Sequence, residues 1–161
     1  MDAAARTLIR KLELRPHPEG GWFREIHRSA ESVSTRKGRR SALTAIHFLL
    51  ARGQLSVFHR VTSDEIWHYC AGAPLDLWRV SGDFSSRERI RLGPPGRGRV
   101  PIAVIGAGEW QAAETRGAFT LVGCAVGPGF DFADFVLLRD APREAARMRK
   151  AHPDLAARLI G

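Results

Sequence analysis

The sequence is short of the residues that staple or anchor a chain. It has two cysteines, Cys70 and Cys124, each inside an apolar stretch. Two thiols build neither a disulfide framework nor a zinc site, so both read as small hydrophobes in a reducing compartment. No apolar run approaches the roughly 20 residues that cross a bilayer. The opening MDAAARTLIRKLEL lacks the apolar core of a secretory signal, because Arg6, Arg10 and Lys11 interrupt it. A cytoplasmic protein with no membrane contact is the expectation. Lysine is scarce as well, since only Lys11, Lys37 and Lys150 stand among the 25 basic residues. The formal charge of +8 is thus carried by scattered arginines, densest at Arg36-Lys37-Gly38-Arg39-Arg40. No recognition helix or aromatic RNA-reading motif goes with that run, so nucleic acid is not an expected partner.

What the chain does have is short apolar segments divided by Gly and Pro. At 161 residues, 44% of them hydrophobic, it suits one domain over 1–161 with a core of its own. Asp2 and the spacing of Leu8, Ile9 and Leu12 predict an amphipathic helix over 2–12, ended by Pro16-His17-Pro18-Glu19-Gly20-Gly21. WFREIHR (22–28) reads as a strand that closes an N-terminal arm, 1–28, and the basic stretch 29–41 as a flexible loop. Strands follow at 43–50, 54–61, 65–71, 75–80, 87–93, 100–106, 109–115, 117–126 and 134–138. Their spacing and turns indicate an all-β barrel or sandwich with its core over 42–138. Pro142 and Pro153 each open a helical pattern, which gives C-terminal helices over 141–160 packed on the outside.

The chemistry concentrates in GQLSVFHRVTSDEIWHYCAG (53–72), where His59, Glu65 and His68 fall within ten residues. Gly53, His59, Val61, Glu65 and Gly72 keep the spacing of the first cupin motif, with Val61 where that motif has its second histidine. Gly106-Ala107-Gly108-Glu109-Trp110-Gln111 and Thr115 resemble the second motif, with Gln111 in place of histidine and Thr115 in place of asparagine. PHPEGGWFREIHRS, HRVTSDEIWHYCAG, GAGEWQAA and LVGCAVGPGFDFADF together resemble a cupin family of unknown function over about residues 12–138. The resemblance implies a double-stranded β-helix, a small jelly-roll barrel, commonly paired as a homodimer. It is more distantly similar to sugar-nucleotide epimerases, and it implies a pocket in the barrel mouth without implying a reaction.

On that barrel, alternation turns Val57, His59 and Val61 to one face and Ser56, Phe58 and Arg60 to the other. His59, Glu65, Trp67 and Tyr69 are then expected to face the pocket. Parity turns His68 outward, whereas the motif includes it as a ligand-binding candidate. Only His59 and Glu65 survive of the four metal positions, and Gln111 offers a neutral oxygen. No tightly bound metal or other cofactor is expected; a weakly held divalent ion at His59, Glu65 and Gln111 stays open. Without metal, His59 and Glu65 can act as base and orienter, with Tyr69 supplying a proton on the opposite face. Trp67 and Phe130 can stack on a ring, and Gln111 can hydrogen-bond a hydroxyl or carbonyl. Asp131 sits among aromatics after a Pro-Gly turn. Arg24 can hold a phosphate or carboxylate, or with Glu19 and Glu25 pin the N-terminal arm. The expected function is binding of a polar small molecule, such as a sugar, nucleotide or nucleotide sugar, with metal-independent epimerisation or isomerisation as the chemistry. The alternatives are a non-catalytic ligand-binding module and a metal-dependent cupin enzyme with an incomplete ligand set.

Overall fold

The computed structural model describes every residue, Met1–Gly161. Helix α1 (Ala3–Lys11) starts where expected, because the Asp2 carboxylate accepts from the Ala4 and Ala5 N–H groups. Its apolar stripe, Leu8, Ile9 and Leu12, packs with Ala5 on Leu49, Ala51 and Leu121. The strands that follow are β1 (Arg15–Pro16), β2 (Trp22–Arg28), β3 (Ser32–Thr35), β4 (Gly38–Ser41), β5 (Thr44–Ala51), β6 (Leu55–Arg60) and β7 (Asp64–Gly72). Next come β8 (Leu75–Val80), β9 (Arg87–Leu92), β10 (Ile102–Ile105), β11 (Trp110–Thr115), β12 (Phe119–Gly127) and β13 (Val136–Leu137). Helices α2 (Pro142–Ala151) and α3 (Pro153–Leu159) close the chain, each with proline in its first turn.

Two antiparallel sheets face each other. One runs in the order β1-β2-β5-β12-β7-β10, the other β13-β6-β11-β8-β9, an interleaving that makes the jelly roll. Between them lie Phe48, Leu50, Trp67, Leu75, Leu77, Leu92, Ile105 and Val122. A second core forms on the outer face of the five-stranded sheet, where α2 and α3 cover Phe58, Trp78, Val80 and Trp110 with Ala145, Met148, Leu155 and Leu159. Strand β11 shows why one sheet serves both cores. Trp110 and Ala112 point to the helices, while Gln111 and Ala113 point inward.

Residues 29–41 depart from the expected loop. They form the hairpin β3–β4, with Thr35 paired to Gly38. Both of its faces are largely exposed, so no apolar alternation announced it. Arg40 fastens the hairpin to the barrel. Its Nε donates to Asp134 Oδ2 at 2.7 Å and its Nη2 to Oδ1 at 3.3 Å, with Lys37 Nζ 3.4 Å from the same carboxylate. Asp134 belongs to a 3-10 turn, Phe132–Asp134, which occupies the start of the stretch expected as a strand over 134–138. Another buried acid, Asp76, lies beneath Arg91 at 3.0 Å, Arg116 at 3.7 Å and Arg89 at 3.9 Å.

Candidate functional site

A cavity of about 280 Å³ opens between β2, β5, β6, β7 and β12. Its walls are largely aromatic: Phe23, Phe48, Trp67, Phe130, Phe132 and Phe135. Its buried polar groups are His17, Glu19, His59 and Glu65, while Glu25, Arg28 and Asp131 also line it.

Irregularities in two strands decide which side chains arrive there. On β6 the partner of Gln111 is His59 and the partner of Ala113 is Ser56, so one extra residue is inserted between them. The bulge turns Ser56 and His59 toward the same acid, against the simple alternation that separated them. Val57 is turned away and lies beside the C-terminal Gly161, while Val61 does line the cavity. The register of β2 shifts in the same way between Glu25 and His27, and Glu25 and Arg28 both reach the cavity.

Glu19 arrives by a different route. The Glu19 carbonyl accepts from Val57 N–H at 2.9 Å, which lays the segment directly on β6. Gly20 and Gly21 permit that approach at φ of +104° and +72°; a Cβ on Gly20 would lie 2.0 Å from the Leu55 carbonyl oxygen. The side chain of Glu19 then enters the interior, 6% exposed. Ser56 Oγ donates to its Oε1 at 2.7 Å, and His59 Nε2 stands 3.2 Å from its Oε2. His17 Nδ1 lies 3.4 Å from that same oxygen.

The hydrogen-bond partners fix the tautomers. His59 Nδ1 is 2.9 Å from the Val57 carbonyl, which can only accept, so Nδ1 carries the proton. Its Nε2 therefore shares the next proton with Glu19. His17 Nδ1 accepts from the Glu19 N–H at 3.3 Å, which leaves its proton on Nε2. Burial drives all four groups toward their neutral forms. It pushes Glu19 up to about 8, against the opposing Ser56 hydrogen bond. It lowers His17 to about 3, helped by the neighbouring His59, and lowers His59 against the opposing charge of Glu65. Burial also raises Glu65, opposed by the charge of His59.

Gln111 completes the floor behind the cavity. Trp67 Nε1 donates to its Oε1 at 2.9 Å, and its Nε2 donates to Glu65 Oε2 at 2.6 Å. Because indole N–H only donates, the amide oxygen must face Trp67 and the amino group must face Glu65. Gln111 thus turns its amide oxygen toward Trp67 and its amino group, which is no metal ligand, toward Glu65. With Val61 a hydrocarbon and both imidazoles directed at Glu19 Oε2, these residues do not fit the metal centre common in this fold.

The other expected residues divide clearly. Trp67, Phe130 and Asp131 line the cavity with His59 and Glu65; Asp131 also caps the turn at Ala133 N–H, and Phe130 accepts from Arg28. Tyr69 does not line it. It shares inward parity but sits about 13 Å further along β7 than Glu65, where its hydroxyl donates to the Gly72 carbonyl at 2.6 Å. His68 also lies outside the lining, on the outward-facing phase of β7. Arg24 points out of the barrel, held by Glu13 at 2.8 Å and the Leu12 carbonyl, so it fastens β2 to the end of α1 and cannot reach a ligand in the cavity. His17, Glu19, Ser56 and Arg28 were not among the expected site residues. The only sequence signal for the first two was the motif PHPEGG.

The family model described as Cupin superfamily (DUF985) matches residues 6–138. Among solved structures, a hypothetical protein from Leishmania major is 31% identical, with 96% of this chain and 97% of that one covered and a TM-score of 0.86. A protein from Shewanella oneidensis is 32% identical over 98% of this chain and 95% of its own, with a TM-score of 0.82. Oxalate decarboxylase from Bacillus subtilis shares the fold at 14% identity and a TM-score of 0.59, over 79% of this chain and 30% of that one. No curated protein matches. On its motifs, its jelly roll and this match over most of its length, the chain belongs to the cupin superfamily, in the family of unknown function DUF985.

Proposed function

We propose that the cavity binds a small organic molecule and moves a proton on it without a metal, the chemistry of an isomerase or epimerase. The observation that carries this reading is the 3.2 Å contact between Glu19 Oε2 and His59 Nε2, with His59 Nδ1 already committed to a carbonyl. Both nitrogens of His59 are occupied, so His59 does not itself take a proton from the ligand. Its unprotonated Nε2 accepts from Glu19 and holds it in place as the acid, which regains its proton from solvent after giving it to the ligand. Glu65, with one oxygen engaged by Gln111, acts as the base. Burial raises the proton affinity of both carboxyls and pushes Glu19 up to about 8, so Glu19 carries a proton to give at neutral pH.

The test is exchange of carbon-bound hydrogen in D₂O, followed by NMR. The panel is small hydroxyketones, free aldoses and tautomerisable nitrogen heterocycles. The wild-type protein should catalyse exchange on at least one of them, and Glu65→Gln should lower that rate at least a hundredfold with its near-UV circular dichroism unchanged. Unchanged exchange in Glu65→Gln overturns the assignment of the base. Saturable binding without exchange anywhere in the panel overturns catalysis and leaves a ligand-binding module, the second reading that an aromatic-walled cavity supports.

A further inference from the structure

Four carboxyl side chains are buried in this protein, and they are treated in two ways. Asp76, 1% exposed, has three arginines around it, and Asp134, 5% exposed, has Arg40 and Lys37. Glu19 and Glu65, 6% and 7% exposed, have no arginine or lysine in ion-pair contact. In a chain with 25 basic residues this is not a shortage of cations. Of those residues only Arg28 lines the cavity, and it is engaged by Glu25 at 2.7 Å and by the Phe130 carbonyl. The remaining lining acid, Asp131, adds negative charge on the same side as Arg28.

A buried carboxyl without a partner cation is costly to ionise, and a ligand that brings the cation removes that cost. The walls favour the same kind of ligand, since the faces of aromatic rings attract a cation electrostatically. A phosphate-bearing ligand would instead meet carboxyls and no free arginine. The volume of about 280 Å³ suits one or two rings. We propose that the cavity is a site for a compact, flat organic cation of the amidine or protonated nitrogen-heterocycle class. Its ring packs against the phenylalanines and its N–H groups donate to Glu19 and Glu65. This rests on the ligand-binding half of the function proposed above and supplies the class of the ligand.

A shape-matched series isolates the charge: benzamidine, benzamide and benzoate, titrated calorimetrically into the full-length protein. Benzamidine should bind at least tenfold more tightly than benzamide, and benzoate should not bind. Glu65→Gln and Glu19→Gln should each weaken benzamidine at least tenfold and leave benzamide within twofold. Cation binding should also release protons near pH 7, read as a heat that varies with the ionisation enthalpy of the buffer. The groups facing the ligand are His17 and Glu19 on the arm, Glu25 and Arg28 on β2, His59 on β6, Glu65 on β7, Cys124 on β12 and Asp131 beyond it. Of these, Glu19 is the carboxyl that burial holds protonated at pH 7, pushed up to about 8, and burial raises Glu65 in the same direction. Benzamidine binding no tighter than benzamide, or benzoate binding best, overturns the proposal. Benzamidine has no carbon acid to exchange, so this result and the exchange assay fail or succeed independently.

Discussion

Asp134 and Glu19 are almost equally buried, yet the fold surrounds them differently. Asp134 holds the β3–β4 hairpin against the barrel through a two-point contact with Arg40, and those cations keep its carboxyl below the usual carboxylate range. Glu19 has a serine and two imidazoles, and burial lifts it to about 8. One acid is compensated inside the chain and works as a fastener. The other is left uncompensated, in a cavity, at a cost in stability that the fold alone does not require. Burial by itself therefore does not separate a structural carboxyl from a functional one; the presence or absence of a cation partner does.

Breaking the compensated acid should give the largest effect. Arg40→Met leaves Asp134 buried with only the half-exposed Lys37 at 3.4 Å. Removing the closer cation from a buried carboxylate destabilises the fold, so the midpoint of urea unfolding at pH 7 should fall further than in any variant below. The equivalent change at the uncompensated acid should have the opposite sign, with Glu19→Gln stabilising the protein at pH 8. If Arg40→Met is neutral, Asp134 is not held by charge and the distinction fails.

The pH dependence gives the next effect in size. Glu19 has an ordinary value of 4.5 and a folded value of about 8, so the native state keeps a proton that the unfolded chain has released. Its stabilising contribution is full below 4.5 and is lost as pH rises through 8. His17 runs the other way: with a folded value near 3 against 6.5, its contribution is full above 6.5 and is lost as pH falls. His59 follows His17 in sign, and Glu65 follows Glu19. The two kinds of group oppose each other between 4.5 and 6.5, and from 6.5 to 8 the acids act alone. Wild-type stability should fall by about 1–2 kcal/mol over that last interval, and Glu19→Gln should remove most of the slope. A wild-type curve that rises from pH 6.5 to 8 would show that Glu19 ionises freely.

Much of the fold was legible because most strands of the two facing sheets bury at least one face and each helix begins at a cap or a proline. The hairpin of residues 32–41 was not, since Val33 and Thr35 alone carry strand character there and neither face is covered. The site was legible in part for a related reason. His59, Glu65 and Trp67 follow the two-residue period, and Phe130 and Asp131 stand out as polar and aromatic neighbours. Ser56 and Arg28 break the period because of the irregularities in β6 and β2. Glu19 follows no period at all. Its contact with His59 spans 40 residues and depends on the close approach that Gly20 allows, a tertiary fact that spacing does not encode.

The smallest expected effects test where the cavity ends. Tyr69 and His68 lie on the same strand as Glu65, so the strand alone does not say which of them takes part. Tyr69 uses its hydroxyl on the Gly72 carbonyl, where the chain turns with Gly72 at φ +91°. Tyr69→Phe removes one partly exposed hydrogen bond and should cost about 1 kcal/mol of stability. His68 makes no side-chain contact with the cavity, and His68→Ala should change stability by less than about 0.5 kcal/mol. Neither variant should move the benzamidine affinity by more than twofold, measured by the same calorimetry. A tenfold loss in Tyr69→Phe would mean that the ligand runs the length of β7 and is larger than one or two rings. The two acids would then hold one end of it, and the far end would be recognised by the part of the barrel that is otherwise packed shut with Leu75, Leu77 and Leu92.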